Sequence, residues 1–116
     1  MNSKPLDVAL AFTHAWTSHD LETAKTLVAS EVVFDGPMQQ STGIDPYFEG
    51  LTRLAESVKG VEIIAVFGDD EKALVMYDLL TGPFGRLTCA KCFTVLDGKI
   101  RKDQLTFDSY KIRNAK

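Results

Sequence analysis

At 116 residues, 45% apolar and 25% charged, the chain is long enough for one sizeable core and too short for two, which predicts one domain over residues 1–116. A formal net charge of -3 argues against a nucleic-acid groove, which needs a basic patch against phosphates; the one basic cluster, Lys111, Arg113 and Lys116, reads as a solvated end. No stretch approaches the roughly 18 apolar residues of a membrane span, and the apolar run after Pro5 is broken by Asp7 and His14 rather than shaped as a secretory signal. A cytoplasmic protein with neither nucleic-acid nor membrane partners is expected.

Pro5 to Trp16 reads as a first helix: proline suits the first turn, and Ala9, Phe12 and Trp16 recur at helical spacing on an inward face. His14 points elsewhere, and its five-residue separation from His19 is not the four-residue step of a helical metal pair. Asp20 caps a second, short helix from Leu21 to Val28. Glu31 to Asp35, with its Val32-Val33-Phe34 run, is a short strand ended by Gly36-Pro37. Met38 to Gly43 is polar and turn-forming, a loop at a pocket rim with Gln39, Gln40 and Ser41 solvated. Asp45-Pro46 opens a third helix with Tyr47, Leu51, Leu54, Ala55 and Val58 on its inner stripe, and Gly60 stops it.

From Gly60 to Asp108 the chain is a series of apolar segments broken at Gly68-Asp69-Asp70, at Gly82-Pro83-Phe84-Gly85 and at Asp97-Gly98. The gaps leave no room for a crossover helix, so Val61 to Phe67, Lys72 to Thr81, Arg86 to Leu96 and Ile100 to Tyr110 pair as an antiparallel meander. Helix, helix, strand, helix and then strands is an α+β order, with three helices on one face of a curved sheet. Cys89 and Cys92 spell Cys-x-x-Cys, but a separation of three on a strand puts them on opposite faces, and a structural zinc site needs four ligands. They read as two small buried residues, and no metal or organic cofactor is expected.

Period-two parity divides each strand into faces. The reading places Leu74, Met76, Asp78 and Leu80 on the inner face of the second long strand, with Val75, Tyr77 and Leu79 outside. The third carries Leu87, Cys89, Lys91, Phe93 and Val95 inward, and the fourth Leu105 and Phe107 with Asp103. Asp78, Lys91 and Asp103 would then converge among apolar side chains. A plain two-residue Asp97-Gly98 hairpin would turn Asp103 outward, so this reading requires a three-residue loop with a bulge at Gly98.

The element order, together with Phe12, Trp16, Asp20-Leu21, Val32-Val33-Phe34, Gly36-Pro37, the Gly43 helix start, Phe93, Asp97-Gly98-Lys99-Ile100 and Phe107-Asp108, resembles the nuclear transport factor 2-like superfamily, nearest to its SnoaL-like and ketosteroid-isomerase-like branches. The resemblance implies a cystatin-like α+β cone, a curved sheet wrapped round helices with a pocket in its interior. It also implies dimerisation through the outer sheet face, here Val75, Tyr77, Leu79, Ala90 and Cys92. The isomerase's tyrosine, base and oxyanion-holding acid fall on Phe12, Gly36 and Lys91, with Asp35 one residue from the base position, so a standard ketosteroid isomerase is not expected. In the limonene-epoxide-hydrolase branch Asp78 falls on one aspartate, Met76 on the arginine, and Leu105 near the second aspartate.

Three readings follow. In the first, Asp78 is a base, with its proton affinity raised by an apolar pocket and lowered by Lys91, and Lys91 holds an enolate oxygen during a cofactor-independent isomerisation or cyclisation, with water attack on an epoxide as a variant; Asp103 and Asp35 are further candidate acid–base groups. In the second, Phe12, Trp16, Phe34, Met38, Tyr47, Met76, Leu80, Cys89, Phe93, Leu105 and Phe107 line an apolar cavity that binds a small cyclic, polyketide- or steroid-like molecule without chemistry. In the third, the protein is a dimerisation module with its interior filled by side chains.

Overall fold

A computed structural model describes residues 4–110; the basic tail Lys111, Arg113 and Lys116 lies outside the described residues. The elements follow as α1 (Pro5–Thr17), α2 (Leu21–Thr26), β1 (Val28–Asp35), β2 (Gln40–Thr42), α3 (Ile44–Ala55), β3 (Val58–Gly68), β4 (Lys72–Thr81), β5 (Arg86–Leu96) and β6 (Lys99–Phe107). The strands make one sheet in the order β2-β1-β6-β5-β4-β3. β3 to β6 form the expected antiparallel meander, and β6 returns to lie parallel to β1. This is the expected α+β architecture, a curved, unclosed sheet against amino-terminal helices. No helix among the described residues is long and apolar enough to cross a membrane.

Local chemistry explains the element ends. The Asp20 carboxylate accepts the Thr23 amide at 3.2 Å and caps α2, which ends at Thr26 so that Val28 can open β1. Part of the expected rim loop is a strand: Gln40, Ser41 and Thr42 pair with Asp35, Phe34 and Val33. α3 starts directly after Gly43, whose φ of 98° suits glycine. It ends at Ala55 rather than at Gly60, because the Ser57 amide and hydroxyl both close on the Leu54 carbonyl, at 3.0 and 2.9 Å. Val58 and Gly60 then belong to β3, opposite Thr81 and Leu80.

Two turns set which residues face the helices. Between β4 and β5 the Thr81 amide and hydroxyl both donate to the Gly85 carbonyl, at 2.9 and 2.8 Å, fixing Leu80 opposite Arg86. Counting back, Tyr77 meets Cys89 and Val75 meets Lys91. The buried face of β4 is therefore Ala73, Val75, Tyr77 and Leu79, while Leu74, Met76 and Leu80 look outward with Asp78; the expected faces of this strand are exchanged.

The turn between β5 and β6 is a two-residue Asp97-Gly98 turn, with φ of 55° and 74° as a type I′ turn requires. The extra residue comes higher up, where Arg101 is left between the pairs Val95–Ile100 and Thr94–Lys102. That bulge, placed at Arg101 rather than at Gly98, puts Asp103 opposite Phe93 and turns it into the interior. Phe12, Trp16, Tyr77 and Phe93, each at most 1% exposed, fill the space between the sheet and α1, and burial of each contributes roughly 1.5–3 kcal/mol.

Candidate functional site

Lys91 sits midway along β5 among residues that alternate strictly between buried and less buried positions, so its side chain points into the core with Cys89 and Phe93. Its ammonium lies 5.5, 5.6 and 5.4 Å from the rings of Phe12, Trp16 and Phe93, whose electron-rich faces partly replace water around the charge. Its Nζ donates to Asp103 Oδ2 at 2.9 Å, and the Tyr47 hydroxyl donates to the same oxygen at 2.6 Å. A buried charge pair persists only when its geometry is good and its spare lone pairs are satisfied. Here one is not: among the described residues Asp103 Oδ1, fully buried, has no hydrogen-bond partner, and neither has Trp16 Nε1. Burial first, then the Asp103 carboxylate, holds the Tyr47 phenol well above its usual range, so it stays a neutral donor.

Beside this cluster lies a cavity of about 190 Å³. Its wall is almost wholly apolar: Trp16 from α1, Tyr47, Leu51 and Leu54 from α3, and Tyr77, Leu79, Leu87, Cys89, Leu105 and Phe107 from the sheet, with Lys91 the sole charged lining residue among those described. Phe34, Gly50 and the loop Gly36, Pro37, Met38 and Gln39 complete it, and since Pro37, Met38 and Gln39 are exposed this loop is the rim. Burial pushes the Cys89 thiol up to about 11, with Lys91 pulling the other way, so it stays protonated and inert near neutrality.

The expected site residues divide accordingly. Trp16, Phe34, Met38, Tyr47, Cys89, Lys91, Leu105 and Phe107 line the cavity, whereas Phe12, Phe93 and Asp103 lie behind its wall. Asp78, Met76 and Leu80 are on the other side of the sheet. There Asp78 accepts the Thr88 hydroxyl at 2.5 Å and Arg86 Nη1 at 2.7 Å, and these bonds, Thr88 first, lower its pKa. It is a surface anchor in place of the expected pocket base. Asp35, half-buried and bonded to Gln40 at 3.0 Å, also lies outside the cavity wall. Cys89 and Cys92 are free thiols on opposite faces, Cys89 buried and Cys92 only half-buried. Sequence reasoning put Tyr77 and Leu79 on the other face, had Leu87 inward without naming it as cavity lining, and missed Gly50 of α3 and the hydrogen bond that ties Tyr47 to Asp103.

An open curved sheet closing over helices around an apolar chamber defines a nuclear transport factor 2-like protein. The chain belongs to the family of the SnoaL-like domain, whose model matches residues 9–102. Among solved structures it is similar to a protein from Kribbella flavida DSM 17836, at 33% identity and a TM-score of 0.92 over 95% of this chain and 91% of that one. It is similar in fold to an NTF2-like protein from Cytophaga hutchinsonii (19% identity, TM-score 0.81, 93% of both chains) and to an LEH-like epoxide hydrolase from M. tuberculosis (22% identity, TM-score 0.79, 97% of this chain and 88% of that one). No protein of curated function matches the sequence.

Proposed function

We propose that this protein binds a small, neutral, largely apolar molecule of one or two rings inside the sheet, with an acceptor oxygen such as a carbonyl set against Lys91. The observation that carries this reading is the apolar chamber with a single cation in its wall. At about 190 Å³ it is somewhat larger than an engineered cavity of about 150 Å³ that takes benzene, and smaller than the roughly 300 Å³ at which drug-sized sites begin. A four-ring steroid is therefore too large to be enclosed. Lys91 is already neutralised by Asp103, so a charged carboxylate would leave the site with an excess negative charge, whereas a neutral acceptor leaves the pair intact.

A second reading, acid–base chemistry next to that carbonyl, is favoured by Asp103 Oδ1. A carboxylate oxygen with no partner, behind a lysine that faces the chamber, can store a proton during an isomerisation or cyclisation while Lys91 steadies the developing enolate.

The test compares 2-indanone with indane, the matched hydrocarbon, by thermal shift and ligand-observed NMR. Both should raise the melting temperature, the ketone more so, and Lys91→Met should remove the ketone's advantage. No shift and no NMR contact with either compound ends the binding reading.

The outer sheet face is proposed as the surface of a homodimer; Ala90 and Cys92 stay in it as expected, while Leu74 and Met76 take the place of the buried Val75, Tyr77 and Leu79. Phe67 beside Leu74, and Ala65 beside Met76, form apolar cross-strand pairs that continue through Cys92 and Ala90 of β5.

A further inference from the structure

We infer that Lys91 forms an imine with an aldehyde or ketone held in the chamber, an inference that rests on the binding reading above. Two observations and a general property of lysine converge on it. Lys91 lines the cavity while being only 3% exposed, so a carbonyl carbon in the chamber meets its Nζ with little competing water. An amine in an apolar pocket, with few waters to solvate it, is the usual setting for lysine as a nucleophile. The group that must take its proton is already in place, since Asp103 Oδ2 is 2.9 Å from Nζ and Oδ1 has no partner among the described residues. The other candidate nucleophiles lining the chamber are less suited: the Cys89 thiol and the Tyr77 phenol are held protonated by burial, and the Tyr47 hydroxyl is engaged with Asp103.

The step balances without a further reagent. Lys91 passes one proton to Asp103, and its freed lone pair forms the N–C bond as the carbonyl π pair moves to oxygen. That oxygen takes the proton back from Asp103 to give a carbinolamine. The carbinolamine hydroxyl then leaves as water, carrying off a second proton that nitrogen has surrendered, and a C=N bond remains. The protonated form of that bond draws electrons more strongly than a hydrogen-bonded carbonyl, which loosens the hydrogens on the neighbouring carbon. Asp103 acts through Lys91 and is a positioning residue.

The experiment treats the whole chain with benzaldehyde or 2-indanone and sodium cyanoborohydride, which fixes an imine as a secondary amine, followed by intact-mass and peptide-level mass spectrometry. The expected result is one adduct, the probe's mass less one oxygen, on Lys91 at least tenfold ahead of the exposed Lys25 and Lys59. Lys91→Arg keeps a cation for Asp103 and should lose the adduct while its circular dichroism stays that of the folded protein. Asp103→Asn should slow adduct formation and move its pH profile, which a purely structural role would not do. A thermal shift with no preference for Lys91 overturns the imine and leaves the binding reading standing. Neither shift nor adduct overturns both.

Discussion

Lys91 and Asp103 lie on adjacent strands and meet at 2.9 Å, with 4% and 0% of their side chains exposed. They are not directly opposite in the ladder: Lys91 faces Leu105, and Phe93 faces Asp103. The contact is diagonal, and it exists because the Arg101 bulge shifts the register by one residue. Removing one member of such a pair strands the other charge in an apolar interior. Asp103→Ala should therefore cost about 3–5 kcal/mol. Replacing the whole cluster, as Lys91→Met with Asp103→Leu and Tyr47→Phe, should recover most of that loss, because no charge or hydroxyl is then left unpaired. Urea unfolding at constant slope gives the comparison. A single Asp103→Ala variant as stable as the wild type would mean that the pair carries no structural load.

Asp78 behaves oppositely because it sits on the outer face with fixed donors. Its hydrogen bonds from Thr88 and Arg86 favour the carboxylate and lower its pKa below the ordinary 3.8. A depressed folded value means stability that is fully present above 3.8 and is lost as pH falls through the folded value. Asp78→Asn should be less stable than the wild type at neutral pH, and the gap should close on acidification below 3.8. Melting temperatures of the two proteins across that range check the sign; a gap that widens in acid would contradict it.

The contrast between these two aspartates shows what the sequence made legible. The meander and the inward direction of Lys91 followed from turn residues and from the heavier apolar parity of β5. On β4 both parities are apolar, so hydrophobic weight gave no basis for choosing, and the choice that placed Asp78 inside was wrong. The information was present in the turn: pairing centred on Pro83 puts Tyr77, not Asp78, across from Cys89. The Arg101 bulge has no comparable mark, since nothing in Lys99 to Asp103 distinguishes an inserted residue from a paired one. The Tyr47–Asp103 bond depends on that bulge and on how α3 settles over the sheet, both tertiary outcomes.

Gly50 offers a direct handle on the chamber. It lies inside α3 and lines the cavity, and a Cβ there would meet only the Gln39 side chain, at 3.5 Å, an ordinary contact. Gly50→Ala should raise stability by roughly 0.5–1 kcal/mol, because alanine loses less freedom in a helix than glycine does. Gly50→Leu projects into the chamber and should abolish the thermal shift from 2-indanone while the protein stays folded by circular dichroism. Undiminished binding by the leucine variant would move the ligand site elsewhere.

The outer face makes the last prediction. Phe67, Leu74 and Met76 are 70%, 50% and 42% exposed on neighbouring strands, a concentration of apolar surface that a single copy leaves in water. A second copy related by a two-fold axis would bury this patch against itself, because an isologous interface needs the same surface on both partners. Light scattering should then give twice the chain mass of 12.8 kDa. Leu74→Lys with Met76→Glu should yield monomers with the chamber and its ligand response intact, since both side chains point away from the cavity. A wild-type protein that is monomeric at micromolar concentration would exclude this interface.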